Sequence, residues 1–154
     1  MPTTINDGVQ KLIRDLKANG LWAAIAAEFY EAAAYTPTYL GLTSAGVTTY
    51  ITQEGFYVRV GAVVHTWVNL NWSAASGTGD AIISLPFTAG SLVALYPGTI
   101  RYNSVTWTGS DPQIVVNAGT AYARMQGVSS NAAPTLTAVE AAGAIAAYVP
   151  YLVS

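Results

Sequence analysis

The chain has no cysteine, one histidine and, among its 154 residues, only six lysines and arginines against eight aspartates and glutamates. Without cysteine, neither a disulfide nor a thiolate metal site can hold the fold, and the redox compartment leaves no trace. A formal net charge of −2, with no cluster of lysine and arginine, argues against a nucleic-acid partner. Long apolar runs are missing too. Leu21 to Ala27 is too short, and Ala141 to Val153 too broken by Gly143 and Pro150, to supply the ~20 helical residues that span a bilayer. No basic region leads directly into an apolar one at the N-terminus, so neither secretion nor a membrane partner is expected.

The scarcity of polar chemistry extends to catalysis. Any histidine-dependent triad or metal site must use His65, which stands between Val64 and Thr66 with no carboxylate at a local spacing suited to orient it. It reads as a surface or interface histidine. Asp80 and Asp111 sit beside turns, where aspartate side chains bond nearby backbone, and the other acids lie in distant segments rather than as a glycosidase pair. No acidic loop of calcium-binding density is present. Ser76-Gly77-Thr78-Gly79 lacks the lysine and following helix of a phosphate cradle, and Asn71-Trp72-Ser73 matches a glycosylation sequon without a secretory signal. The expectation is a chain that is not an enzyme and has no catalytic residue, cofactor or metal.

What the chain does have is uncharged strand. Charged residues make up 9% of it, against about 25% in ordinary soluble domains, while 52% is hydrophobic. Half of the charges, Asp7, Lys11, Arg14, Asp15, Lys17, Glu28 and Glu31, precede residue 36. The rest of the chain carries only Glu54, Arg59, Asp80, Arg101, Asp111, Arg124 and Glu140. So poorly charged a body must expose Thr, Ser, Asn and Gly, or cover its surface with neighbours. A homo-oligomer is therefore expected.

Period-2 patterning is strongest from Tyr50 to Phe87. Phe56, Val58 and Val60 fall on one side of an extended chain and Tyr57 and Arg59 on the other, before Gly61 reverses direction. Val64, Thr66, Val68, Leu70 and Trp72 then share one face, with His65, Trp67, Asn69 and Asn71 opposite. Ser76 to Gly79 is expected to close a hairpin into a strand from Ala81 to Leu85. Further strands are expected at Ser91 to Leu95, Thr99 to Tyr102, Ser104 to Thr108, Gln113 to Asn117, Thr120 to Gln126, Thr135 to Val139 and Ala144 to Val153, with Pro97-Gly98 among the turns. Glu140 to Ala147 has a helical alternative.

The first 35 residues read as helix. Val9, Leu12, Ile13 and Leu16 follow the spacing of one helical face, Gly20 is a natural stop, and the Ala-rich Leu21 to Tyr35 presents Trp22 and Phe29 on a second apolar face. Helices this short are not stable alone and must pack on something. The fold expected is mainly β: an antiparallel β-sandwich or jelly-roll-like domain over residues 36–154, with a short N-terminal α-helical anchor over residues 1–35. Val9, Leu12, Ile13, Leu16, Trp22, Phe29 and Trp67 are the candidate anchor and interface residues. Exposed aromatics such as Trp67 can anchor a subunit or stack on sugar rings.

The run Gln53-Glu54-Gly55-Phe56-Tyr57-Val58-Arg59-Val60-Gly61, the ending Ile83-Ser84-Leu85-Pro86-Phe87 and the preceding Thr36-Pro37-Thr38 resemble a module common in tailed-bacteriophage virion proteins. The likeness covers roughly residues 36 to 90, with a weaker echo in Ala147 to Val153. Such modules occur in head decoration or cement proteins and in tail fibres and receptor-binding tips, and the module pattern carries over no catalytic residue. The resemblance, with the charge asymmetry, implies a trimeric protein of the virion surface that cements the head by contacting the major capsid protein or another virion protein. The alternative it implies is a tail-fibre or receptor-binding tip whose partner is a host-surface glycan.

Overall fold

Alternation of apolar and polar residues becomes strand wherever it persists. The computed structural model describes residues 5–21, 23, 29–107, 109–129 and 132–154. They contain helix α1 (Ile5–Ala18) and ten strands: β1 (Tyr30–Tyr35), β2 (Tyr39–Gly41), β3 (Thr48–Val60), β4 (Val63–Ala75), β5 (Ala81–Ser84), β6 (Leu95–Asn103), β7 (Asp111–Asn117), β8 (Tyr122–Val128), β9 (Thr135–Leu136) and β10 (Gly143–Leu152). The hydrogen-bonded order is β1-β3-β4-β10-β6-β7-β8-β5-β2, with β9 added on β8. Every pairing between neighbours is antiparallel. No helix among the described residues is long and apolar enough to cross a membrane.

This path folds over into two layers. The β4 layer holds β1, β3, β4, β10 and the end of β6; the β8 layer holds the start of β6 with β7, β8, β9, β5 and β2. Val64, Thr66, Val68, Leu70 and Trp72 are all buried, as the alternation along β4 predicts. Val64, Val68, Leu70 and Trp72 join one cluster with Ile145, Val149 and Tyr151 of β10 and with Tyr39, Ile83, Ile114, Val116, Ala123 and Met125 of the β8 layer. Removing a Leu, Ile or Val side chain of this kind from water stabilises the fold by about 1.5–3 kcal/mol. Tyr39 and Trp72 stack across the layers with ring centroids 4.1 Å apart. The backbone of Glu140, just before β10, ties both rings: Trp72 Nε1 donates to the Glu140 carbonyl at 3.0 Å, and the Glu140 N–H donates to the Tyr39 hydroxyl at 2.9 Å. The antiparallel sandwich expected from the sequence is the fold observed.

Several local expectations are corrected. Tyr30 to Tyr35, expected in the second helix, is strand β1, paired with β3 from Tyr30↔Val60 to Tyr35↔Gly55. Helix propensity of its alanines yields to the backbone partners that the edge of β3 offers. Of the rest of that helix, Leu21, Ala23 and Phe29 are helical, while Trp22 and residues 24–28 lie outside the described residues. Ser76 to Gly79 does not close a hairpin, because β5 pairs with β2 and β8 in the other layer. The segment instead carries the chain between layers, bridging back to Ser44 through Thr78. Ser104 to Trp107 is not strand, and Ser91 to Ala94 is a bend. Glu140 to Ala147 is not a helix; β10 begins at Gly143.

Pro97-Gly98, expected to turn, lies inside one continuous strand. Leu95 to Gly98 pair with β7, and Thr99 to Asn103 pair with β10. Gly98 is where β6 leaves one layer for the other, and a Cβ there would meet the Tyr148 carbonyl oxygen at 2.5 Å and the Ile114 Cγ2 at 3.0 Å. The crossing therefore needs a residue with no side chain.

Two outcomes follow from this core. Gly98→Ala should destabilise the protein by about 1–3 kcal/mol, the usual cost of overpacking, because the first atom met is backbone and cannot rotate away; urea unfolding measures it. Burial pushes the Tyr39 and Tyr151 hydroxyls up to about 12 and raises that of Tyr35 beyond the ordinary tyrosine range. Raised values favour the neutral, folded form, so this stability is fully present below about pH 10 and is lost as pH rises through about 12. A urea midpoint that is flat to about pH 9 and then falls steeply is expected.

Candidate functional site: a groove on the open face of the β4 layer

While one face of β4 fills the core, the other carries His65, Trp67, Asn69 and Asn71 outward, and the register sets partners beside each. Phe56 lies opposite Trp67, Trp67 opposite Tyr148, and Tyr148 opposite Thr99, which makes one row across four strands. The next row reads Glu54, Asn69, Ala146, Arg101. The third reads Thr52, Asn71, Ala144, Asn103. On the other side of the aromatic row, His65 lies between Val58 and Pro150.

The aromatic row is a shelf. Trp67 sits 5.3 Å from Tyr148 and 6.2 Å from Phe56, centroid to centroid, and 43% of its surface is exposed. His65 stacks nearly parallel to Tyr148, at 13°, with Nδ1 2.6 Å from the tyrosine hydroxyl. That contact holds the Tyr148 ring in place, a positioning role that fits the surface histidine expected from the sequence. Beside the shelf, small Ala144 and Ala146 leave a trough between the polar residues of β4 and those of β6. Together they form an open groove of about 540 Å³ that includes Glu54, Trp67, Asn69, Arg101 and Tyr148, continued by a depression of about 420 Å³ at Asn103. Volumes of this order are typical of ligand sites. Among the described residues Glu54 is the one carboxylate lining the groove, and its Oε2 accepts a 2.9 Å hydrogen bond from Asn69 Nδ2. Among the described residues no three acids and histidines come together to hold a metal ion.

The anchor and interface residues named from the sequence do not assemble into one site. Val9 and Leu12 are exposed on α1, Ile13 and Leu16 are half-buried there, and Phe29 is exposed where the chain enters β1. None of them lines the groove, where Trp67 sits with partners the sequence did not assign to it. Phe56, Tyr148 and Arg101 went unrecognised because they come from three other strands. The signal available was the parity of each strand, without the pairing that aligns them.

No family model matches the chain, and no curated protein matches it. Among solved structures, the chain is similar to the crystal structure of the Dettilon tailspike protein, with a TM-score of 0.55 and 17% identity. The match covers 78% of this chain and 23% of that one, so this chain corresponds to less than a quarter of the tailspike. What it shares is the fold. The expectation that the chain is not an enzyme is corrected by this likeness. A missing catalytic motif is no ground for excluding catalysis from a fold shared with a tailspike protein. The likeness itself assigns no activity to this chain.

Truncation separates the shelf from the core. Trp72→Ala, which empties a buried site, should cost about 3–5 kcal/mol. Trp67→Ala should cost clearly less, because 43% of its surface is exposed and its removal leaves no enclosed cavity. Paired urea titrations of the two variants check the contrast.

Proposed function

We propose that this chain is a structural protein of a phage virion, in which the sandwich is a host-facing tail module that binds a surface saccharide in the groove of the β4 layer. One observation carries the reading: a half-exposed tryptophan and tyrosine adjoin a row of amide, carboxylate and guanidinium groups in an open groove. Sugar rings present apolar C–H faces and hydroxyl edges, and a site for them needs an aromatic surface beside convergent polar groups. The resemblance of residues 36 to 90 to phage virion modules and the tailspike-like fold support the same placement. They support a phage structural protein more generally than a tail one. The groove favours the tail over the head-decoration reading, since a cement face has no need of an open trough with polar walls.

Within this reading the sparsely charged sandwich is a homotrimer, and α1, with Val9 and Leu12 exposed, attaches it to another virion protein. Immunogold labelling of intact virions should mark a few sites at the tail; dense labelling over the head would reject the tail placement. The purified chain should also compete with virions for adsorption to host cells. Trp67→Ala should weaken that competition by about tenfold or more, as truncation of an aromatic hot spot does. A variant that competes as well as the natural chain would remove the groove from the reading.

A further inference from the structure

Of the three arginines beyond residue 35, two are occupied inside the protein. Arg59 Nε donates to the Gly61 carbonyl at 2.9 Å, and its guanidinium lies 5.4 Å from the centre of the Phe87 ring. The Arg124 guanidinium lies 5.8 Å from the centre of the Tyr122 ring. Arg101 is different. It is exposed, it lines both the groove and its continuing depression, and it has no ion-pair or hydrogen-bond partner among the described residues.

The acid in its own row does not neutralise it. Glu54 is three strands away, roughly 14 Å at the usual strand spacing. That exceeds the ~8 Å screening length at physiological salt. Glu54 is moreover hydrogen-bonded to Asn69. A guanidinium thus stands unpaired in a groove whose lining near it is neutral, with Asn69, Asn103, Thr99 and the alanine floor around it and Glu54 at the far end of the row. In a chain that is 9% charged, an unpartnered cation at the β6 end of a polar row on this face is a specific feature.

We infer that the groove takes an acidic saccharide, with Arg101 receiving the carboxylate of a uronate-type sugar; this rests on the saccharide reading of the groove. The guanidinium fork matches a carboxylate with two parallel N–H···O bonds. One cation answers one negative charge, which fits a carboxylate better than a doubly ionised phosphate. From the register, the Trp67 and Arg101 backbones are two strands and two residues apart, roughly 12 Å. A ligand that stacks on the shelf and reaches the guanidinium is therefore an oligosaccharide. Across the trough, Asn69 and Asn103 offer amides to the hydroxyls of the sugar between. The residues from 36 onward carry three arginines and four carboxylates, so no overall positive field draws the anion in, and recognition depends on this contact.

The test uses the full chain and matched probes: an array of glucuronate-containing bacterial oligosaccharides, and the same oligosaccharides after carboxyl reduction to neutral hexose. The natural chain should bind its acidic probe at least tenfold more tightly than the reduced one. Arg101→Gln should bring that ratio close to one, and Arg101→Lys, which keeps the charge and loses the fork, should give an intermediate ratio. Trp67→Ala should weaken both probes while keeping the preference for acid. Equal binding of the two probes by the natural chain, or an unchanged ratio in Arg101→Gln, overturns the carboxylate assignment while leaving saccharide binding in place. Preference for phosphorylated oligosaccharides on the same array overturns it as well. Binding to no saccharide, acidic or reduced, overturns the saccharide reading and this inference with it.

Discussion

Both layers of the sandwich depend on one strand, β6, passing from the first to the second without breaking its hydrogen bonds. Its first four residues complete the β8 layer and its last five complete the β4 layer. At the corner the backbone approaches the Tyr148 carbonyl so closely that only glycine fits. Proline is tolerated one residue earlier, in extended backbone, where its fixed φ suits the strand. The same crossing sets the outer surface. Because β6 reaches the far side of β10, Arg101 and Asn103 stand across a floor of Ala144 and Ala146 from Asn69 and Asn71. A true turn at Pro97-Gly98 would have left that wall of the groove without a strand.

How much of this was legible depends on the range of the interaction concerned. The faces of β4 were readable from alternation alone, because a strand with one side in the core shows its period in its own residues. The reversal at Gly61 was equally local: its φ of 58° and the two-residue loop between Val60 and Val63 match a glycine at a hairpin. Pairing between distant strands was not readable. Phe56 and Val60 are exposed while Tyr57 is buried, so which side of β3 meets the core is decided by β4 and the opposite layer rather than by hydrophobicity. Tyr57 has a polar tip, and its hydroxyl is satisfied by the Glu31 carboxylate on β1, in the segment whose composition reads as helix.

The groove shows the same division. Trp67, Asn69 and Asn71 were already grouped on one face by parity, with His65. Tyr148, placed by sequence only within a final strand, supplies the second ring, and Arg101 was merely one of a few scattered charges. Exposure gives Trp67 a different status from Trp72, although they lie five residues apart on one strand. Composition cannot draw that distinction; position relative to the core does.

Alternation along the strand has a further consequence for how such a protein can change over generations. In β4 the even-numbered residues from Val64 to Trp72 hold the core, and the odd-numbered ones from His65 to Asn71 lie on the outer face, where Trp67 and Asn69 line the groove. In β10 the parity is reversed, with Ile145, Ala147 and Val149 inward and Ala144, Ala146 and Tyr148 outward. Folding and recognition are thus written on alternate letters of the same segments. Substitutions at the outward letters can accumulate and be selected for a new ligand while the inward letters stay under separate constraint. The surface that meets the outside world is free to diversify at little cost to the architecture beneath it.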